Sequence, residues 1–297
     1  MSGANARAAG ADRRGHPWPD VRLLLFDLDD TLCDYVAARA LRLRTAFSLD
    51  LSSDETSDPP ATRRDLDRMI ADSIAMHPHG ADHFPELFRG HGIDDGATAS
   101  RAMEWYRENR FHGLALFADA LSTIECLRWT RSSSGCSVRR RIGLVTNGPA
   151  ETQRRKIDVL GLTWLVDFAV VSGEFGVEKP DPRIFAEALR LGEATADETV
   201  FVGDSAEHDI AGARAAGIRS FWVNRSGLPW SFEGSGPDVE VADLEAVCRL
   251  LEDWAWPWGE AGEADEGTGR AEPEGRAAAR LRSGGGVGRG GGREEAG

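Results

Sequence analysis

Five short apolar runs punctuate the chain: VRLLLF (21–26), IGLVT (142–146), FAVV (168–171), TVFVG (199–203) and RSFWV (219–223). Each has strand length, and runs that stay apolar without alternation suit strands covered on both faces. Helical segments separate the later runs. Asp181-Pro182 opens the clearest one, with Ile184, Phe185, Ala188 and Leu189 on one face and Gly192 expected as its C-terminal stop. Residues 150–160, closing at Gly161, and 206–216, closing at Gly217, follow the same plan. This alternation predicts an α/β fold, a doubly wound, Rossmann-like parallel sheet.

The first run breaks the rhythm, since the next strand begins more than a hundred residues later. Val36, Ala40, Leu43 and Phe47 recur there at helical spacing, and 61–76 and 98–110 also read as helices. The spacing predicts a helical cap over 34–113, inserted into a core made of 20–33 and 114–258. Polar residues 1–19 and glycine-rich residues 259–297 are expected as disordered tails.

A formal charge of −14 and a pI near 5.0 argue against a nucleic-acid binder, which needs clustered Lys and Arg. No apolar segment reaches membrane-spanning length and the N-terminus lacks a signal-peptide centre, so no membrane partner is expected. Cys33, Cys126, Cys136 and Cys248 lie far apart in sequence and indicate neither a zinc site nor a disulfide framework; a cytoplasmic protein is the expectation. Among 35 Lys and Arg residues only Lys156 and Lys179 are lysines. Oligomeric state and substrate are not legible.

In an open parallel sheet, ligands bind beyond the carboxyl ends of the strands, where loops and helix N-termini converge. Four polar clusters fall at such ends: Asp27, Asp29 and Thr31 after the first run, Thr146 and Asn147 after the second, Lys179 beyond the third, and Asp204 with Asp209 after the fourth. Asp27, Asp29 and Asp204 would gather negative charge at one sheet edge, tolerable if a hard divalent cation accepts their oxygens, and Mg2+ is the natural candidate. Thr146 offers a hydroxyl donor and Lys179 a point charge for phosphate. Singly, each has a commonplace alternative as solvated loop acid, local cap or solvent-facing lysine.

Together the clusters resemble the haloacid dehalogenase-like (HAD) hydrolase superfamily, in the branch with a helical cap after the first motif. FDLDDT (26–31), VTNG (145–148), GVEKPDPRIF (176–185) and VGDSAEHDIAGARAAG (202–217) match its four motifs in order over roughly residues 20–230. The resemblance implies that Asp27 is the nucleophile, forming an aspartyl-phosphate that water hydrolyses, and that Asp29 is the acid and then the base. It implies that Thr146, Asn147 and Lys179 hold the transferring phosphoryl group. Asp27, the Asp29 backbone carbonyl and Asp204 would bind Mg2+, with Asp209 steadying the metal's ligands. The implied activity is a magnesium-dependent phosphomonoesterase acting on a small metabolite, such as a nucleoside monophosphate (nucleotidase) or sugar phosphate. The spacing looks most like pyrimidine nucleotidase-like and acylneuraminate phosphatase-like members, with phosphoglycolate phosphatases close behind.

The haloacid dehalogenases of the family lack the second aspartate, so Asp29 favours phosphatase over dehalogenase. Phospho-receiver domains share the inventory but carry the acceptor after the third strand, and a catalytically silent binding domain would lack a chemical residue. His77, His79, His83 and His91 are read as a loop cluster in preference to a zinc site, WAWPW (254–258) as packing at the close of the core, and Arg139, Arg140 and Arg141 as a solvated edge. The segment 128–141 is longer than a plain helix-to-strand connection.

Overall fold

The computed structural model describes residues 21–48, 63–76, 80–131, 137–234 and 236–251. In chain order the elements are β1 (Leu23–Phe26), α1 (Tyr35–Ser48), α2 (Arg63–Met76), α3 (Phe84–Gly90), α4 (Gly96–Glu108), α5 (Ala120–Leu127), β2 (Trp129–Arg131), β3 (Ser137–Arg139), β4 (Arg141–Thr146) and α6 (Ala150–Val159). There follow β5 (Phe168–Val171), α7 (Ser172–Phe175), α8 (Pro182–Gly192), β6 (Thr199–Gly203), α9 (Ala211–Ala215), β7 (Arg219–Val223), β8 (Val239–Val241) and α10 (Leu244–Leu251). The tails expected at 1–19 and 259–297, WAWPW, His77 and His79 lie outside the described residues.

Six strands form one parallel sheet in the order β5-β4-β1-β6-β7-β8, with β1 flanked by β4 and β6. Side chains alternate across a strand, and here both faces are covered. Leu24 and Phe26 pack on one face against Ile124 of α5, Ile157 of α6 and Val247 of α10. Leu23 and Leu25 pack on the other against Phe185 and Ala188 of α8 and Ala213 of α9. The inserted helices α1 to α4 build a separate apolar cluster around Leu43, Phe47, Phe84, Phe88 and Tyr106. Its centre is aromatic, with Phe47 edge-on to Phe84 at 5.0 Å and to Phe88 at 5.4 Å.

Several expectations need correction. Gly192 does not stop α8: it is the helix's buried last residue, where an added Cβ would lie 2.3 Å from Leu23 Cδ2, and the left-handed cap is Glu193 (φ 52°). The helix expected at 206–216 starts with a wide turn over Ala206–Ile210 before α9. Segment 128–141 contains an antiparallel hairpin of β2 and β3. His83 and His91 flank α3 instead of sitting in a loop cluster; His83 Nε2 meets Ser73 Oγ at 2.8 Å and His91 Nε2 meets Asp72 Oδ2 at 2.9 Å.

The solvated arginine edge fails at its middle residue. Arg140 is buried, donating from Nε to the Val21 carbonyl (3.0 Å) and from Nη2 to that of Leu251 (3.3 Å), whereas Arg139 pairs with Asp167 and Arg141 with Glu193. Such a guanidinium satisfies carbonyls at strand and helix ends that no backbone N–H reaches. The cysteine spacing indicated no disulfide framework, yet Cys126 of α5 and Cys248 of α10 are bonded, with Cα atoms 6.6 Å apart. Distance along the sequence was a poor guide, because α5 and α10 share one apolar cluster.

One ion pair braces the loops beside β1. Asp119 accepts from Arg225 at 2.9 and 3.1 Å and from the Leu244 N–H at 2.9 Å, while Arg225 also reaches the Thr31 carbonyl. Burial works to raise the Asp119 pKa, but the hydrogen bonds from Arg225 and Leu244 outweigh it and hold the carboxyl below its usual 3.8. A depressed folded pKa contributes stability that is full above the unfolded value and lost as pH falls through the folded one. Asp119→Ala should therefore cost about 2 kcal/mol at pH 7, and thermal melts should show the gap to the native protein narrowing below pH 4.

Candidate active site

The site grows from the ends of β1, β4 and β6. Asp27 extends β1 by one residue, its N–H donating to Val202 O at 3.0 Å, so its carboxylate is delivered at the sheet edge by strand pairing. The chain then turns tightly: Leu32 and Cys33 N–H groups both return to Leu28 O, and Asp30 takes a left-handed φ of 60°, a region Asp tolerates better than most residues. Asp30 Oδ1 accepts the Val36 N–H at 2.9 Å at the entry to α1. Of the three acids in DLDD, one is thus a turn and cap residue and two face the site.

Asp27, Asp204 and Asp209 converge, with carboxylate oxygens within 4.8 Å of one another. Lys179 sits among them, its Nζ donating to Asp27 Oδ1 and, at 2.6 Å, to Asp209 Oδ1. Asp209 can come this close because β6 ends in Gly203, where a Cβ would lie 2.4 Å from Asp209 Oδ2; the same oxygen accepts the Ser205 N–H at 3.0 Å. Asp204 accepts from Thr31 Oγ1 at 2.9 Å, and its backbone carbonyl is held by Trp222 Nε1 at 2.7 Å.

Burial works against the charge of Lys179, but Asp209 and Asp27 hold its pKa above the ordinary lysine value, so it stays protonated. Burial pushes Asp27 well above its usual range, with Lys179 opposing and Asp209 and Asp204 adding. Burial, then Asp209, pushes Asp204 up to about 7. With all three carboxylates ionised, they and one ammonium leave two negative charges, which one divalent cation would neutralise. The donor set fits that cation as well: all-oxygen, anionic and clustered beside a half-buried Asp204.

A second charged pair lies alongside. Lys156 of α6 donates to both oxygens of Asp29 at 2.8 and 2.7 Å and stands 4.0 Å over the Tyr35 ring. Gln153 Nε2 bridges Asp29 Oδ2 (3.1 Å) and Thr146 Oγ1 (2.6 Å). Because the Thr146 hydroxyl accepts from Gln153, its own hydrogen is left to donate. The Asn147 side chain is engaged by the lysine backbone: its Oδ1 accepts the Lys179 N–H (2.8 Å) and its Nδ2 donates to Lys179 O (2.9 Å), a clamp that the sequence did not suggest.

All seven predicted residues line a single cavity of about 780 Å³ that also reaches Arg42 and Tyr106 of the inserted helices and Arg110 just beyond them. Lys156 and Gln153 were missed as site residues. Their signal is present: Lys156 is one of two lysines, and i, i+3 spacing puts it beside Gln153 on one face of α6.

The profile of haloacid dehalogenase-like hydrolases matches residues 21–217. The chain belongs to that family. It is 31% identical over 241 residues to a glyceraldehyde 3-phosphate phosphatase of Methanopyrus kandleri, covering 78% of this chain and 96% of the relative. It is 42% identical over 168 residues to a phosphoserine phosphatase of Thermus thermophilus, covering 54% of this chain and 62% of that protein. The crystal structure of the HAD-hydrolase YfnB of Bacillus subtilis, described as bound to magnesium and as revealing interdomain movement, superposes with a TM-score of 0.58 at 25% identity, over 78% of this chain and 98% of that one. A parallel six-stranded sheet is thus the HAD fold of this chain.

Proposed function

We propose that this HAD hydrolase is a magnesium-dependent phosphomonoesterase that transfers a phosphoryl group from a small metabolite to Asp27 and then to water. The observation that carries this reading is the charge cluster at the sheet edge: Asp27, Asp204 and Asp209 converge around a single Lys179, an all-oxygen set that a divalent cation would complete. Two relatives named as phosphatases support it.

Asp27, Asp204 and the Asp29 backbone carbonyl would hold Mg2+, which supplies charge neutralisation at a phosphate oxygen. The Asp27 carboxylate attacks phosphorus in line as the ester oxygen departs. Lys179 stays protonated through this step and neutralises a nonbridging oxygen, and the Thr146 hydroxyl donates to another. Asp29, once it has left Lys156 and taken up a proton from solvent, would give that proton to the departing alcohol and as the carboxylate later take one from the attacking water. Both of its oxygens are engaged by Lys156, so it must break one of those contacts to reach the leaving oxygen. Asp209 positions Lys179, and Asn147 fixes its backbone.

The helical insertion 34–113 would serve as the cap over a core of 20–33 and 114–258, and its side of the cavity would select the alcohol half of the substrate. Nucleoside monophosphates and sugar phosphates head the candidates. A screen of phosphate release over nucleotides, sugar phosphates, phosphoglycolate and haloacids tests the reading. Release should fall at least about a hundredfold on chelation and return with Mg2+; undiminished release in chelator, or halide release alone, would contradict it.

A further inference from the structure

Charge pairing in the cavity is lopsided. On the sheet side, Lys179 is paired with Asp27 and Asp209, and Lys156 with Asp29. On the helical side, Arg107 is paired with Asp82. Two cationic residues of the lining remain, Arg42 of α1 and Arg110 just beyond α4, and among the described residues neither has a carboxylate partner. Arg42 is 6% exposed, and its contacts are neutral: Nη1 donates to the Arg110 carbonyl, Nη2 to Tyr106 Oη at 2.5 Å, and the guanidinium stacks 4.0 Å from the Tyr106 ring centroid. Its Nε is buried with no hydrogen-bond partner.

A buried guanidinium without a counter-charge costs stability unless an anion completes it. Arg42 is rigidly held, which lowers the entropy lost when it binds a planar or tetrahedral oxyanion. Arg110 is exposed and adds a second charge to the same wall, its Nε resting on the Arg107 carbonyl at 3.2 Å. The opposite wall holds the phosphoryl-transfer groups, so one ligand that spans the cavity meets cations at both ends.

We propose that Arg42 and Arg110 form a subsite for a second oxyanion carried by the alcohol half of the substrate, a carboxylate or a second phosphate. The proposal rests on the phosphatase reading for what occupies the Asp27 end. It makes phosphorylated acids or bisphosphates better ligands than neutral esters of the same length.

Calorimetric titration of the magnesium-loaded protein tests this with three phosphonates: 4-phosphonobutanoate, 4-hydroxybutylphosphonate and propane-1,3-bisphosphonate. At least one of the two probes that carry a second anionic group should bind about tenfold or more tightly than the hydroxyl compound, and the tighter of the two assigns the carboxylate or the phosphate. Arg110→Gln should cut that preference to about twofold, as should Arg42→Gln in a sample whose melt shows it folded. Equal affinity for all three probes, or a preference that persists in Arg110→Gln, overturns the subsite. Turnover of 4-nitrophenyl phosphate on the same sample separates the two claims: no turnover beside an intact preference removes the phosphatase reading and supports the oxyanion subsite.

Discussion

Asp27→Asn lowers phosphomonoester turnover by at least about 10⁴-fold while the protein stays folded. The amide keeps the shape of the carboxylate and still offers Lys179 an oxygen, so no cavity opens. It removes the electron-rich oxygen that attacks phosphorus, and water held in its place lacks a base positioned behind it. The substitution also removes one charge from a cluster in which burial and the neighbours Asp209 and Asp204 already push the Asp27 pKa up. The metal-free variant should melt at the same temperature as the native protein or higher, whereas a residue needed only for structure would melt lower. Steady-state phosphate release and a thermal melt on one preparation check both halves.

The second large effect is at Asp29. Asp29→Asn should lower turnover of an alkyl phosphate by about 10²–10⁴-fold, the usual worth of a general acid. An aryl phosphate behaves differently, because its leaving oxygen needs no proton: the variant should release a burst of phenolate equal to the enzyme present and then stall, since no base activates the water. Rapid-mixing absorbance reads this directly. Uniform loss on both esters with no burst would make Asp29 a structural anchor for Lys156 and not the acid. The Asn oxygen still accepts from Lys156, which lies 5% exposed, so that buried ammonium is not stranded.

Much of the site was readable because strand ends announce themselves. An apolar run that stops at Asp27 or Thr146 marks both a buried strand and its functional end, and parallel pairing of β1 with β4 and β6 brings those ends together. Strand β8 and helix α10 escaped notice because a three-residue strand carries almost no pattern. Lys156 and Gln153 escaped for another reason: α6 shows that they share a face, but their partner Asp29 is 127 and 124 residues away. Arg140 was misread because charge alone cannot reveal that strand and helix ends converge on it, and the Cys126–Cys248 bond spans 122 residues. The cap wall is hardest of all, since Arg42 and Arg110 look like two arginines among many until the charges around them are paired off.

The central claim is that Asp27 itself carries the phosphoryl group. Asp29→Asn protein mixed with an aryl phosphate and Mg2+, quenched in acid after the burst and reduced with borohydride, should yield homoserine at position 27 on peptide sequencing. Unmodified aspartate at position 27 throughout a full burst of phenolate would contradict the account.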